Sequence, residues 1–209
     1  MRAADPPYLI RTERLTIRCW EPPDAPLLKD ALDTSLDHLR PWMPWASEEP
    51  QTLAEKVALL RRFRGRFDLG EDFVYGIFTR DENEVVGGAG LHARVGEGGL
   101  EIGYWLRSSR LRQGHASDTV SALTRVAFAV CGVERVEIRI DPANAASLRV
   151  PRRLGFVEEA TLQRRLPAAA GETVSRNATI FTVFAEAFGA TPMAKLPVEG
   201  YGAAGERVF

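Results

Sequence analysis

The stretch Arg110-Leu111-Arg112-Gln113-Gly114-His115-Ala116-Ser117 places two arginines, a glycine and small residues just ahead of an apolar helical periodicity. That combination suits an anion held on a helix N-terminus, where unpaired N–H groups and the positive end of the helix dipole meet. Gly114 and Ala116 keep side-chain bulk away from the backbone, and Arg110 and Arg112 add charge, so a pyrophosphate could lie directly on the turn. The chemistry implied is the binding of a phosphate-bearing cofactor. Two other phosphate loops do not apply. No Gly-Lys-Ser/Thr triplet is present, and Gly88-Ala89-Gly90-Leu91-His92-Ala93 lies inside a strand-like run with no helix opening after it. His38, His92 and His115 share no ligand spacing with Cys19 or Cys131, so no metal site is expected.

The elements that must position this turn can be read outward from it. Upstream, residues 100–106 are short, apolar and aromatic enough for a strand. Downstream, Val120, Leu123, Ala127 and Val130 recur at helical spacing up to a stop at Gly132. Further strands are predicted over 9–18, 73–79, 84–91, 135–140 and 178–186, the middle ones as an antiparallel meander. A helix is expected after Glu21-Pro22-Pro23-Asp24, another over 52–67 with Thr52 and Glu55 as a capping box, and a short one over 144–154 ending at Gly155. Between them, Ser35 to Ser47 is too rich in proline to be regular and too aromatic for a plain linker. Its Trp42 and Trp45 could line an acceptor pocket, close the core or form a dimer contact, and the pocket is preferred because loops carry specificity. Acidic residues nearby, Asp33 to Asp37 and Ser47-Glu48-Glu49, could attract a cationic acceptor or simply face water.

At 209 residues and 23.1 kDa the chain fits one domain over 1–188, followed by a Gly-, Ala- and Pro-rich tail over 189–209 with little to bury. Charge is balanced, 27 Lys+Arg against 28 Asp+Glu, so no global field recruits nucleic acid or an anionic membrane. Two cysteines in apolar contexts suit reduced, buried thiols and a cytoplasmic setting. Met1 to Pro7 carries no apolar signal core, and no run approaches the length of a membrane span.

The strand order, the Arg-x-Gln-Gly-x-Ala turn and the block Asp141-Pro142-Ala143-Asn144-Ala145-Ala146-Ser147 with Leu154-Gly155-Phe156 together resemble the GNAT N-acetyltransferase superfamily. Arg11-Thr12-Glu13-Arg14-Leu15 narrows the resemblance to the RimJ/RimL-like branch, over roughly residues 9–188. The resemblance implies an α/β (α+β) fold: a mixed, mostly antiparallel twisted sheet of about seven strands with about four helices. It also implies a splay between the fourth and fifth strands, here 100–106 and 135–140, with acetyl-CoA lying in the opening. By the same resemblance the backbone of Tyr104, Trp105 and Leu106 would bond the pantetheine arm. Arg112, Gln113, Gly114, His115, Ala116 and Ser117 would hold the pyrophosphate, and Asn144 would bond the cofactor near its thiol end. Leu111 stands where the superfamily often has Gln or Arg; the branch commonly has an apolar residue there, and backbone N–H groups do most of the anion binding.

Acetyl transfer to an amine needs a neutral nucleophile, a polarised thioester carbonyl and a protonated leaving thiolate. The resemblance implies Glu101 as proton acceptor and Ser147 as thiolate acid; read bare, Glu101 is also a strand carboxylate that could pair with arginine, Ser147 a helix serine and Asn144 a cap. A protein α-amine, near about 7.7–8.0, is already partly neutral at cytoplasmic pH, whereas a lysine near about 10.4 needs roughly three pH units of help, about 4 kcal/mol. The leading expectation is therefore acetylation of a protein N-terminal α-amine. Acetylation of a small amine, such as an aminoglycoside-type antibiotic or a polyamine, is the second, and a non-catalytic acyl-CoA-binding module the third.

Overall fold

A computed structural model describes residues 4–209; Met1, Arg2 and Ala3, the start of the segment read for a signal core, lie outside the described residues. One nine-stranded sheet organises the chain. Strands β1 (Leu9–Arg11), β2 (Leu15–Cys19), β3 (Phe73–Thr79), β4 (Val85–His92) and β5 (Gly99–Leu106) run antiparallel to their neighbours, and β6 (Arg135–Ile140) then pairs parallel with β5. Strands β7 (Val157–Leu166), β8 (Arg176–Phe184) and β9 (Glu199–Tyr201) complete the order β7-β8-β6-β5-β4-β3-β2-β1-β9.

Cross-strand partners share a face, so the register sorts the side chains into two layers. On one face Leu100, Ile102 and Leu106 of β5 pack with Val120 and Leu123 of helix α4 (His115–Ala129), all inside one buried cluster. On the other, Trp20, Phe78 and Val85 meet Leu28 and Leu32 of α1 (Ala25–Asp33) and Leu60 of α3 (Leu53–Asp68). Thr52 caps α3, its hydroxyl accepting from the Glu55 N–H while the Glu55 carboxylate takes the Thr52 N–H, as the capping box predicts. Helix α5 (Ala145–Leu154) begins at the Asn144 cap and stops at Gly155 in the left-handed region, φ 87°.

Four local expectations are corrected. The predicted strand over 9–18 is broken, because the Thr12 hydroxyl takes the N–H of Leu15 at 2.9 Å and closes a turn. The Trp loop is partly regular, with a four-residue helix α2 (Leu36–Leu39) and a 3-10 turn over Pro44–Glu48. Strand β7 adds an element that the sequence pattern does not predict: it is an edge strand exposed along nearly its whole length, and so lacks a buried face to leave an apolar alternation. Finally, the segment 189–209 is packed rather than loose. Met193 is 1 % exposed, β9 pairs with β1, and the chain folds back so that Val208 donates to Gly200 at 2.8 Å. A short helix α6 (Ala185–Phe188) leads into it, and Arg125 of α4 donates to the carbonyls of Ala194 and Leu196 at 2.6 and 3.2 Å. The sheet therefore has nine strands, and the expected splay falls between its fifth and sixth. Among the described residues no helix is long and apolar enough to cross a membrane.

Candidate active site

The parallel ladder between β5 and β6 lasts for three pairs, Gly99↔Arg135, Leu100↔Val136 and Glu101↔Glu137, and then ends. From Ile102 onward β5 keeps its partner β4, as in Ala89↔Tyr104, while its other edge has no strand against it. Its backbone N–H and C=O groups there need partners that the sheet does not supply, which is what an extended amide-bearing ligand offers. The residues fit a pantetheine arm at Tyr104, Trp105 and Leu106.

Beyond Leu106 the chain passes a 3-10 turn (Ser108–Arg110) and reaches the predicted anion seat. Arg112 and Gly114 have φ of 59° and 85°, and Gly114 is the N-cap of α4 with no side-chain cap. The first helical bond runs from Asp118 N–H to the Gly114 carbonyl, leaving the N–H groups of His115, Ala116 and Ser117 without intrahelical partners. His115 also has a buried Nδ1 with no hydrogen-bond partner among the described residues, and burial with the Arg14 charge holds its imidazole below the ordinary value. Arg14, not singled out from the sequence, joins the turn: it donates to the Gln113 carbonyl at 2.7 Å and pairs with Asp118. The break between β1 and β2 is what sends it there. A Cβ on Gly114 would lie 2.8 Å from its Nη2. Arg110, by contrast, is tied to Glu84, and so contributes less to the seat than its sequence position implies.

At the opening itself the Tyr104 hydroxyl and Ser147 Oγ lie 2.9 Å apart. Burial pushes the Tyr104 phenol up to about 12 although the Ser147 bond pulls the other way, so it holds its proton at neutral pH. Asn144 uses one lone pair of its Oδ1 as the α5 cap, on the Ser147 N–H at 3.0 Å, which fixes Ser147 beside Tyr104 and leaves its amide nitrogen and the second lone pair for a ligand.

A cavity of about 850 Å³ runs through the splay, walled by Ile102 and Tyr104 from one face of β5 and by Gly103 and Trp105 from the other. Trp42 and Trp45 both line it, and Trp45 meets Trp105 edge to face at 6.0 Å. The loop carrying them is held by Arg176, which donates to the carbonyls of Pro41 and Trp42 at 3.2 and 3.0 Å and pairs with Asp141 at 3.1 Å. Its far end is pinned by the buried pair of Lys56 and Glu49. Both Glu48 and Glu49 line the cavity, but Glu49 is buried and already paired with Lys56, which leaves Glu48 as the uncommitted carboxylate of the two.

Glu101 lies on the cavity wall, 5 % exposed, but Arg94 grips both its oxygens, at 2.6 and 3.1 Å, and Arg139 stands 3.6 Å away. Glu137, directly opposite on β6, is likewise paired with Arg135 and Arg139, so three arginines neutralise two facing carboxylates. The Glu101 carboxylate, expected as the base, thus already holds charge-assisted hydrogen bonds from Arg94. A second dyad in the same cavity has no signature in the sequence: His92 Nδ1 and Asp72 Oδ1, 2.7 Å apart. Only tertiary folding brings residues 72 and 92 together, so no spacing could reveal it. Among the described residues no cluster of three or more His, Cys, Asp or Glu is placed to hold a metal ion.

The splayed sheet with its glycine turn is matched by the acetyltransferase (GNAT) domain model, over residues 14–157. The chain belongs to the GNAT acetyltransferase family. It is 26 % identical over 164 residues to the [ribosomal protein uS5]-alanine N-acetyltransferase of Escherichia coli K12, covering 76 % of this chain and 82 % of that one. The structure of Mycobacterium smegmatis RimJ in complex with CoA-disulfide is similar in fold at a TM-score of 0.77 and 22 % identity, covering 92 % of this chain and 93 % of that one. So is the microcin C7 self-immunity acetyltransferase MccE in complex with acetyl-CoA and AMP, at a TM-score of 0.73, 17 % identity and coverage of 82 % and 93 %. As a member of this family the chain is an N-acetyltransferase, and the RimJ/RimL-type resemblance agrees with these relatives.

Proposed function

We propose that this acetyltransferase transfers the acetyl group of acetyl-CoA to a protein N-terminal α-amine by direct attack, in the cytoplasm. The observation that carries the reading is the continuity of the site: the Gly114 turn, the unpaired edge of β5 and the Tyr104–Ser147 pair follow one another toward the aromatic cavity. The relative from E. coli is named for an alanine N-terminus, and a cavity walled by Trp42, Trp45 and Trp105 suits the first residues of an extended chain. Acetyl-CoA, when bound, supplies a thioester whose carbonyl carbon the amine attacks. Ser147, oriented by the Asn144-capped backbone and hydrogen-bonded to a protonated Tyr104, is the hydroxyl proposed to protonate the departing sulfur. The N–H groups of His115 to Ser117, with Arg14 and Arg112, are proposed to hold the pyrophosphate. Buried thiols at Cys19 and Cys131, with Cys19 pushed up to about 11 by burial, suit a reducing compartment.

A small-molecule amine is the second reading, favoured by the size of the cavity, about 850 Å³, and by MccE, whose structure holds AMP. Thermal unfolding with and without acetyl-CoA tests the donor without assuming an acceptor. Saturation at about 100 times Kd adds roughly 2.7 kcal/mol, a rise of several degrees. No rise rejects the donor. Thiol release is then compared for a peptide beginning with a free alanine and for an aminoglycoside; turnover with the second alone reverses the order of the two readings.

A further inference from the structure

His92 and Asp72 form a dyad that the site described above leaves unused. His92 is the last residue of β4, in register with Glu101 and therefore on the acceptor face of the sheet. Its ring lies over the Gly90–Gly103 cross-strand pair: a Cβ at Gly90 would come within 2.4 Å of Nε2, and one at Gly103 within 3.6 Å. This is the physical reason for the glycines of the Gly88-Ala89-Gly90 run. Gly88 makes the same room for the Trp105 ring, at 2.5 Å from its Nε1, and the two clearances leave the imidazole and the indole on one wall of the cavity.

Nδ1 of His92 is committed to Asp72 at 2.7 Å, while Nε2 has no hydrogen-bond partner among the described residues and is not sealed from the cavity. The side chains of His92 and Asp72 are 19 % and 18 % exposed, sheltered but reachable. Asp72 is itself fixed, Arg66 of α3 lying 3.5 Å from its other oxygen. Burial alone would raise the Asp72 carboxyl, but the His92 hydrogen bond and the charges of Arg66 and Arg94 hold it below the usual carboxylate range, so it stays ionised. The charged groups around the imidazole are then Asp72 and Arg66 from the α3 side, Arg94 from the loop after β4, and Glu101, which Arg94 neutralises, from β5.

We propose that His92, oriented by Asp72, is the catalytic base of this acetyltransferase: its Nε2 takes the proton of the acceptor amine. The inference rests on the acetyl-transfer reading and moves the base from Glu101 to His92. The amine lone pair forms the N–C bond to the thioester carbonyl carbon, and the C–S bond breaks with its electron pair on sulfur. The surplus proton on nitrogen passes to Nε2 and then to solvent, and the sulfur takes the proton of the Ser147 hydroxyl, which is replaced from solvent. Asp72 is a positioning residue, because it touches only Nδ1. It holds the tautomer that leaves the Nε2 lone pair facing the acceptor.

Two measurements test this. The first is kcat/KM against pH at saturating acetyl-CoA with a peptide beginning with a free alanine, for wild type, H92Q, D72N and E101Q. H92Q is expected to lower kcat/KM by about 10²-fold or more and to erase an acidic limb of the wild-type profile. D72N is expected to lower it about tenfold with the limb displaced, and E101Q to retain the limb. Acetyl-CoA should raise the unfolding temperature of H92Q as much as that of wild type, which separates a lost base from a damaged fold or donor site. A limb that survives in H92Q and disappears in E101Q overturns the proposal. The second measurement needs no acceptor: 15N NMR of the imidazoles at neutral pH, with H92Q giving the assignment. The proposal requires protonated Nδ1 and unprotonated Nε2 at His92, and the opposite tautomer overturns it. Loss of the thermal shift in every variant, wild type included, would instead reject the donor reading, while the tautomer still decides whether His92 is poised as a base.

Discussion

At the scale of single residues the site depends on positions where a small change carries a large chemical consequence. Gly114 has φ 85°, and a Cβ there would displace the flexible guanidinium end of Arg14, so a carboxylate side chain would place both backbone strain and negative charge on the proposed anion seat. Gly114→Glu should cost about 1–3 kcal/mol of stability, which a folded domain survives, and should abolish the thermal shift given by acetyl-CoA. An undiminished shift would remove the seat from the turn. Ser147 makes the complementary case. Ser147→Ala deletes the proposed thiolate acid without touching the Asn144 cap, which uses the Ser147 backbone. It should lower kcat about ten- to a hundredfold while leaving acetyl-CoA binding near wild type, as steady-state kinetics alongside thermal shift would record.

At the scale of elements, the loop bearing Trp42 and Trp45 is held by one buried and one half-buried charge arrangement. Lys56 is fully buried on α3 and meets Glu49 at the end of the loop, with Gln51 3.2 Å away as a second acceptor. Removing one partner strands the other charge in the interior. Glu49→Gln should therefore cost about 3–5 kcal/mol in denaturant unfolding and raise the acceptor KM by loosening the loop, whereas the double change Glu49→Leu with Lys56→Met should recover most of that stability. Recovery of stability without recovery of KM would mean that the pair sets the loop's position as well as its hold. Arg176 secures the other end of the same loop through Asp141, linking the acceptor wall to the segment that precedes α5 and Ser147.

At the scale of the whole molecule, the sheet has two exposed flanks and treats them differently. Strand β1 is three residues long and would present a bare edge, but β9 pairs with it and Phe209 folds over Gly200. Deleting residues 199–209 should lower the unfolding temperature by several degrees and produce concentration-dependent association, detectable by light scattering. An unchanged melting curve would mean that β1 needs no cover. The opposite flank, β7, stays open, protected by its charge-rich sequence Glu158-Glu159 and Arg164-Arg165 and by shifts in its register with β8.

Much of this is legible in the residues because it is local. A capping box, a left-handed glycine after a periodic apolar face and a strand-turn-helix order are set by chain neighbours, so the amino-acid order alone specifies α3, α4, α5, the middle strands and the Gly114 turn ahead of α4. The Asn-x-x-Ser block and the glycine turn likewise point to the family, because those residues act through backbone groups a few positions away. What the tertiary structure decided is pairing across the chain. Arg94 closes on Glu101, the carboxylate expected as base, Arg14 reaches the turn 99 residues away at its Gln113 carbonyl, and Asp72 meets His92. The segment over 189–209 reads as unpacked because its few apolar residues gain meaning only against β1 and α4. The physical reason is the same throughout: backbone geometry is encoded within a turn or two, whereas the partner that claims a charge is chosen by which strands lie side by side.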